Sequence, residues 1–305
     1  MTSLHTKQLH GTLLVTLSGL LYGFLGYLGT QLLRAEFTVE NMLFWRFLFA
    51  TLWMLIPTLI LKKSSSEKKH AHSVLLKIVI FSTLTYSGAT AFYFLGTRYI
   101  GTGISMVIFF SYPIFVTLFA WLLGQWRMNK IALLSLCIVL IGLICLKGQG
   151  QHTLNLLGLL FAILSALFYA AYVYGSHHLG KNIEANLMTL LVCIGNTAIF
   201  FVLSSFTHSL YWPTTLSTVG YALALGILAT AIPIQLLLKG MQYISPVKAS
   251  ILSVLEPVVT VLIGVLLLAE AISPLQWLGM MIMLAGAITI QFESLPSEKP
   301  DQVYR

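Results

Sequence analysis

The chain has 305 residues, of which 58% are hydrophobic and only 9% are charged, with a mean hydropathy of +0.90 and a formal net charge of +8. A soluble domain is nearer ~25% charged, so a soluble globular protein is excluded because there is too little polar surface to cover it. The basic residues lie in short clusters between apolar runs and are not interleaved with aromatic residues. This pattern indicates membrane topology and no nucleic-acid partner.

Ten apolar segments of spanning length follow one another with short connections, so the sequence predicts an all-α polytopic membrane protein in contact with the lipid bilayer. The first segment is too long for the core of a signal peptide and lacks a cleavage pattern, so we expect it to remain as a membrane helix. Segments 1 to 10 are predicted at residues 11–33, 41–61, 73–95, 102–124, 131–146, 154–176, 185–206, 216–238, 247–269 and 274–292.

The basic residues are distributed unequally between the two sides that these segments define. Of the 17 lysines and arginines, only Arg34, Arg98 and Lys147 fall on the side opposite the N-terminus, and Arg46 lies inside segment 2. Because basic residues favour the cytoplasmic face, we expect both termini to be cytoplasmic. The predicted location is the cell (inner) membrane.

The two halves of the chain repeat one another. Tyr99-Ile100, Pro113 and Gly142 recur 144 residues later as Tyr243-Ile244, Pro257 and Gly286, and the stretch from Ser18 to Gly23 matches that from Ser165 to Ala170 at an offset of 147. Five segments per repeat is an odd number, so the two repeats must cross the membrane with opposite orientation. Inverted repeats of this kind are typical of secondary transporters.

The second repeat resembles the EamA family of the drug/metabolite transporter superfamily. The residues that carry the resemblance are Ala249-Ser250, Glu256-Pro257, Gly264, Glu270, Gln276, Gly279 and Gly286. The first repeat matches more loosely, through Arg46, Pro113 and Gly142, and has Tyr112 and Trp126 where the second repeat has Glu256 and Glu270.

The resemblance implies ten helices in two inverted five-helix bundles, with the fifth and tenth helices at the periphery. On this basis we expect one EamA-like repeat at residues 8–148, a second at residues 153–292 and a cytoplasmic tail at residues 293–305. The family exports or imports many small metabolites, so the resemblance leaves the substrate open. A homodimer is also left open.

Polar side chains recur at helical spacing along segments 1, 3, 6 and 9, which predicts that one face of each helix lines a cavity. Tyrosine faces and a carboxylate can accept an amine by cation–π contact and ion pairing. A second interpretation stays open, in which these side chains have structural roles. The hydroxyls would bond to their own backbone, the tyrosines would anchor the helices at the membrane interface, and Gln235 would join two helices. The predicted substrate-binding residues are Tyr22, Tyr86, Tyr93, Tyr112, Tyr169, Tyr172, Gln235 and Glu256.

Glu256 is the only charge between Lys248 and Glu270, and it is followed at once by Pro257. An ionised side chain in the middle of a membrane segment is costly. The position of Glu256 therefore predicts either a binding site for a substrate or a proton, or a protonated carboxyl group bonded to a neighbouring helix. Pro257 and its counterpart Pro113 cannot donate a backbone hydrogen bond, and we expect both to act as hinges in helices that face each other. Arg46 either extends to the interface or pairs with an anionic substrate group.

These features predict a secondary transporter, exporter or permease, of a small amino-acid-like or amine-bearing metabolite that works by alternating access. The alternatives are a lipid or lipid-precursor flippase on the same fold and, less favoured, an intramembrane enzyme. No P-loop, HExxH or GxSxG occurs, and the three cysteines lack the spacing of a metal site or disulfide framework. We therefore expect no enzyme, no catalytic residues, no cofactor and no metal.

Overall fold

The computed structural model describes residues 2–61, 72–123, 130–146, 155–180, 183–268 and 273–292, and these are helical apart from their turns and caps. Eight helices in these ranges are long and apolar enough to cross a membrane, and two shorter apolar helices cover Lys130–Cys145 and Pro274–Thr289. The predicted class, an all-α polytopic membrane protein, is confirmed. The expected tail at 293–305 and the expected repeat boundaries at 148 and 153 lie outside the described residues.

The helices of the first repeat account for segments 1 to 5. They are α1 (Thr2–Tyr22) and α2 (Leu25–Arg34) in segment 1, α3 (Val39–Leu61) in segment 2, α4 (His72–Phe109) in segment 3 and the start of segment 4, α5 (Tyr112–Leu122) in the rest of segment 4, and α6 (Lys130–Leu146) in segment 5.

The helices of the second repeat account for segments 6 to 10. They are α7 (Leu156–Leu179) in segment 6, α8 (Ala185–Phe206) in segment 7, α9 (Leu216–Gly226), a π-helical turn (Ile227–Ala231) and α10 (Ile232–Gly240) in segment 8, α11 (Pro246–Ser253) and α12 (Leu255–Leu268) in segment 9, and α13 (Pro274–Thr289) with a 3-10 turn (Ile290–Phe292) in segment 10.

Several helix starts are encoded by local sequence. Ser245 and Ser273 each precede a proline, and their hydroxyls accept backbone N–H groups of α11 and α13, at Lys248 and Gln276. Segment 3 runs beyond its predicted end at residue 95, as far as Gly101. There a φ of 77° turns the chain into segment 4, and this left-handed region is one that glycine enters at little cost.

Segments pack in pairs that follow the repeat. Segment 3 packs along segment 6, and segment 1 packs along segment 8, which is the equivalent pair after exchange of the two repeats. Segment 2 packs on segment 7, segment 4 on segment 9, and segment 5 on segment 10. Exchange of the two repeats converts each of these three pairs into itself. The packing therefore has an approximate twofold relation between the repeats.

The pairs 1–8 and 3–6 share the same close approach. A Cβ on Gly11 would lie 2.6 Å from the Cβ of Tyr243, and a Cβ on Gly158 would lie 2.6 Å from the Cβ of Tyr99. Gly11 and Gly158 are equivalent at the offset of 147, and Tyr99 and Tyr243 at the offset of 144. Both contacts need glycine because the helix backbones approach so closely.

A pair of equivalent hydrogen bonds extends this relation. The Ser18 hydroxyl donates to the carbonyl of Pro233 at 2.7 Å, and the Ser165 hydroxyl donates to the carbonyl of Ala89 at 2.7 Å. The offsets of 147 and 144 relate donor to donor and acceptor to acceptor. These side chains belong to helix–helix contacts rather than to a cavity wall.

Segments 5 and 10 form the edge of the molecule. A Cβ on Gly142 would lie 2.6 Å from Cγ of Met283, and a Cβ on Gly286 would lie 2.6 Å from Cγ2 of Val139. Their remaining contacts with other segments are few, and they expose large apolar side chains such as Ile144. The peripheral place that the family resemblance implies for the fifth and tenth helices agrees with this arrangement.

Candidate functional site

A cavity of about 160 Å³ lies between segments 1, 2, 3, 4, 6, 8 and 9. At about 10–15 Å³ per water molecule on the same measure, it has room for roughly ten waters or one small metabolite. It is lined by Tyr22, Leu25, Gly26, Gly29, Met42, Arg46, Tyr86, Ala89, Thr90, Tyr93, Phe94, Met106, Phe109, Phe110, Tyr169, Leu225, Glu256 and Thr260.

Breaks in three helices adjoin this cavity. The two predicted hinge prolines explain two of them: α4 ends at Phe109, four residues before Pro113, and α11 ends at Ser253, four residues before Pro257. A proline has no N–H for the carbonyl four residues earlier, so the helix loses its hydrogen bond at that point. The third break separates Tyr22 from Leu25 in segment 1 and has no proline.

Glu256 lies in the first turn of α12 and contributes to the cavity wall. The start of a helix favours a negative charge because its backbone N–H groups are unpaired and the helix dipole is positive there. Thr260, one turn later, lines the same wall, and its hydroxyl donates to the Glu256 carbonyl at 3.0 Å. The break before Pro257 therefore places a carboxylate at a helix start inside the protein.

Four of the predicted tyrosines line the cavity together with Glu256: Tyr22, Tyr86, Tyr93 and Tyr169. The rings of Tyr86 and Tyr169 meet edge to face with centroids 6.0 Å apart. The Tyr22 hydroxyl is buried and makes no hydrogen bond with the described residues. These residues come from segments 1, 3 and 6, so the helical stripes converge on one space.

Tyr112 and Tyr172 lie behind the lining tyrosines. Tyr112 is 1% exposed, its ring meets that of Tyr169 at 4.7 Å and 89°, and its hydroxyl donates to the Ser250 carbonyl at 3.2 Å. The Tyr172 ring meets Tyr86 at 4.9 Å and 90°. The bond from Tyr112 joins the two broken helices of segments 4 and 9, which face each other as expected. Both tyrosines support the wall without being part of it.

Gln235 is not part of the cavity lining. Its side-chain N–H donates to the Asn186 carbonyl oxygen, and the Asn186 amide donates in turn to the Glu184 carboxylate at 2.9 Å. This chain of bonds joins segment 8 to the start of segment 7. The structure thus places Gln235 in the helix–helix role that the sequence left open for it.

Arg46 belongs to the cavity wall, whereas the sequence left it between the interface and a substrate. Its side chain is 5% exposed, so it does not extend to the membrane surface. Nε donates to the Thr230 hydroxyl at 2.7 Å and Nη2 donates to the Tyr86 hydroxyl at 3.2 Å. Arg46 and Glu256 bring opposite charges to one cavity, and the described residues show no ion pair that joins them directly.

The rest of the wall is apolar and was missed by sequence reasoning. Phe94, Phe109 and Phe110 face the cavity beside the bare backbone of Gly26 and Gly29. In a membrane segment these apolar residues do not differ from lipid-facing ones, so composition carries no signal for them. In the described part of the chain, no cluster of three histidine, cysteine, aspartate or glutamate residues could hold a metal ion.

Comparisons with known proteins agree with this fold. The model of the EamA-like transporter family matches the chain twice, over residues 9–147 and 156–292. A protein of Archaeoglobus fulgidus named "Uncharacterized transporter" is 27% identical over 218 residues, which cover 70% of this chain and 74% of that protein. "Uncharacterized transporter YcbK" of Bacillus subtilis strain 168 is 28% identical over 197 residues, covering 61% of this chain and 62% of that protein.

A solved structure described only as "Crystal structure of protein" has the same fold, with a TM-score of 0.80 at 17% identity over 92% of this chain and 98% of that one. Because the family model covers most of the sequence in two successive copies, the chain belongs to the EamA-like transporter family.

Proposed function

We propose that the protein is a secondary transporter of a small amine-bearing, amino-acid-like metabolite, which it carries by alternating access. The observation that supports this most strongly is Glu256, a carboxylate in the wall of a small cavity that is otherwise made of tyrosines, threonines, apolar side chains and one arginine. A carboxylate is expensive to keep inside a membrane protein, and its usual role is to bind a substrate or a proton.

The depth of Glu256 supports a central site. At ~1.5 Å per residue it lies about 12 Å along segment 9 from Lys248, close to the middle of a ~30 Å hydrocarbon core. Tyr86, Tyr93 and Tyr169 stand around the same space. An ammonium group would find a counter-charge in Glu256 and aromatic faces for cation–π contact.

The placement of the cavity suggests which state the structure represents. Its lining comes from the part of segment 1 beyond Gly19 and from the first turns of segments 2 and 4, which start at the face opposite the N-terminus. With both termini cytoplasmic, as the basic residues indicate, this is the outer half of the membrane. We propose that this is the outward-facing state.

Topology is tested separately by cysteine labelling in intact cells. Single cysteines at Ser65 and Gln149, two positions outside the described residues, should report the cytoplasm and the outside respectively. If both report the same side, five segments per repeat is wrong, and the outward-facing assignment fails with it.

Transport is tested with purified protein in proteoliposomes and a panel of radiolabelled amino acids and amines. Glu256→Gln keeps the shape of the side chain and removes its charge, so we expect a folded protein with at least tenfold less uptake, because a buried charge-assisted bond is worth about 1.5–3 kcal/mol. Glu40→Gln is the matched control. That carboxylate lies in the first turn of α3 and outside the cavity wall, and its loss should leave uptake intact.

The pH dependence separates the two roles open to Glu256. As a counter-charge alone, the carboxylate binds a protonated amine, and uptake needs no proton gradient. As a proton carrier, it makes uptake depend on the gradient, and the Gln variant loses that dependence. A Glu256→Gln protein that transports like wild type between about pH 5 and 8 would contradict a functional role for the carboxylate.

A further inference from the structure

The hydrogen bonds of Arg46 connect equivalent positions of the two repeats. Its Nε donates to Thr230 in segment 8 and its Nη2 donates to Tyr86 in segment 3. Positions 86 and 230 are equivalent at the offset of 144. One guanidinium from segment 2 is therefore held between the same position of both repeats.

The π-helical turn of segment 8 makes this arrangement possible. Gly226, just before the turn, packs directly against segment 2: a Cβ there would lie 2.8 Å from the carbonyl oxygen of Arg46. Within the turn, the Thr230 hydroxyl donates to the carbonyl of Leu225, five residues earlier, at 2.7 Å. With its own proton used in this way, the Thr230 oxygen is fixed as an acceptor that faces Arg46. Single π turns of this kind are frequent at functional sites.

The third guanidinium nitrogen, Nη1, makes no hydrogen bond with the described residues, although the side chain is 5% exposed and lines the cavity. The guanidinium carbon lies 5.1 Å from the centroid of the Phe47 ring, and the unused donors that face the cavity are available to water or to an acceptor group of a substrate. Nη1 and Nη2 together match the two oxygens of a carboxylate.

We propose that Arg46 is the anion subsite of the cavity and that Thr230 is its positioning residue, so that the substrate is a zwitterion with its carboxylate at Arg46 and its ammonium at Glu256. This inference rests on the proposed function. Both charges belong to the lining of one cavity of about 160 Å³. The apolar wall around Phe94 and Phe109 favours an apolar side chain on that molecule.

The first experiment needs no variant. Binding to detergent-solubilised wild-type protein is measured by calorimetry with L-leucine, with 3-methylbutylamine, which lacks the carboxylate, and with 4-methylpentanoate, which lacks the amine. L-leucine should bind at least tenfold more tightly than either, because each analogue leaves one charge of the cavity without a partner. Equal affinity for L-leucine and the amine, or no binding of L-leucine, would overturn the inference.

The second experiment changes the position of Arg46 but not its charge. Thr230→Val removes the acceptor of Nε, and it should reduce the preference for L-leucine over 3-methylbutylamine while leaving affinity for the amine close to wild type. Thr230→Ser keeps the hydroxyl and should keep the preference for L-leucine. Thr51→Val is the control, since Thr51 also joins two helices, through Thr197 at 3.0 Å, but lies outside the cavity wall.

Arg46→Lys completes the series, because lysine keeps the charge and loses the planar pair of donors. We expect it to bind L-leucine about tenfold more weakly. If Thr230→Val and Arg46→Lys weaken the binding of L-leucine and of 3-methylbutylamine by the same factor, the two residues have a structural role and the assignment is overturned.

The failure of this inference can be told apart from the failure of the proposed function. If the protein in proteoliposomes transports amines equally well with and without a carboxylate, this inference fails alone. If the proteoliposomes take up no member of the panel, the proposed function fails.

Discussion

The helix pairs 1–8 and 3–6 are the same contact used twice, yet they end differently. Both begin with a close approach at a glycine, Gly11 or Gly158, and both continue with a serine hydroxyl bonded to the carbonyl of its partner helix. Beyond the serine, the pair 3–6 remains packed. A Cβ on Gly175 would overlap the ring of Phe81.

The pair 1–8 follows a different course over the equivalent stretch, where α2 packs on α9 beyond the break in segment 1 and a cavity lies beside them. The residues equivalent to Gly175 and Phe81 are Leu28 and Leu225, and Leu225 lines the cavity. Segment 1 breaks between Tyr22 and Leu25, and segment 8 contains the π turn Ile227–Ala231, whereas both equivalent stretches, around Ala170 and at residues 83–87, are regular α-helix.

This difference sets the position of the cavity, which lies beside the broken pair. The shared contacts hold each pair together at one end, and the local breaks change the path of only one pair at the other end. The cavity is therefore a property of the asymmetry between equivalent helices. Alternating access, as proposed above, requires the other pair to undergo the equivalent change in its turn.

The largest effect is expected at the shared close approach. Gly11→Leu and Gly158→Leu each place a side chain where a neighbouring Cβ is 2.6 Å away, so we expect each to cost about 3 kcal/mol, the upper end of the usual cost of overpacking. Gly220→Leu is the control, because a Cβ there meets nothing within 4 Å. Thermal stability in detergent measures the effect. If only one of the two glycines matters, the two contacts are not equivalent.

A smaller effect, on transport more than on stability, is expected at the break in segment 1. A Cβ on Gly23 would lie 2.5 Å from the Cβ of Val259, so Gly23→Ala should displace segment 1 from segment 9 and lower uptake severalfold. Ala170→Gly at the equivalent position should cost about 1 kcal/mol of helix stability and leave uptake per folded protein unchanged. Equal loss of uptake in both variants would contradict the asymmetry.

The smallest effect is expected at the paired serines. Ser18→Ala and Ser165→Ala each remove one buried interhelical hydrogen bond, worth about 0.6 kcal/mol on average in membrane proteins. The two losses of stability in chemical unfolding should match. Ser205→Ala, which removes only a bond to the carbonyl of Phe201 within the same helix, should have no effect. A much larger loss of stability for one serine would indicate that the two helix pairs contribute unequally to the stability of the protein.

Sequence alone determined the class of the molecule, because hydropathy and length decide whether a helix can cross a bilayer. It also predicted the breaks near Pro113 and Pro257, since a missing N–H acts locally whatever the surroundings. The convergence of Tyr86, Tyr93 and Tyr169 on one space with Glu256 followed from helical spacing, which places residues three or four apart on one face.

Tertiary structure decided what each polar residue does within that frame. Ser18, Ser165, Tyr112 and Gln235 bond to neighbouring helices, and Arg46 turns inward because Thr230 and Tyr86 supply acceptors for it. These partners are up to 215 residues away in sequence. Periodicity shows the face on which a side chain lies, but the register between helices decides whether that face meets another backbone or an open space.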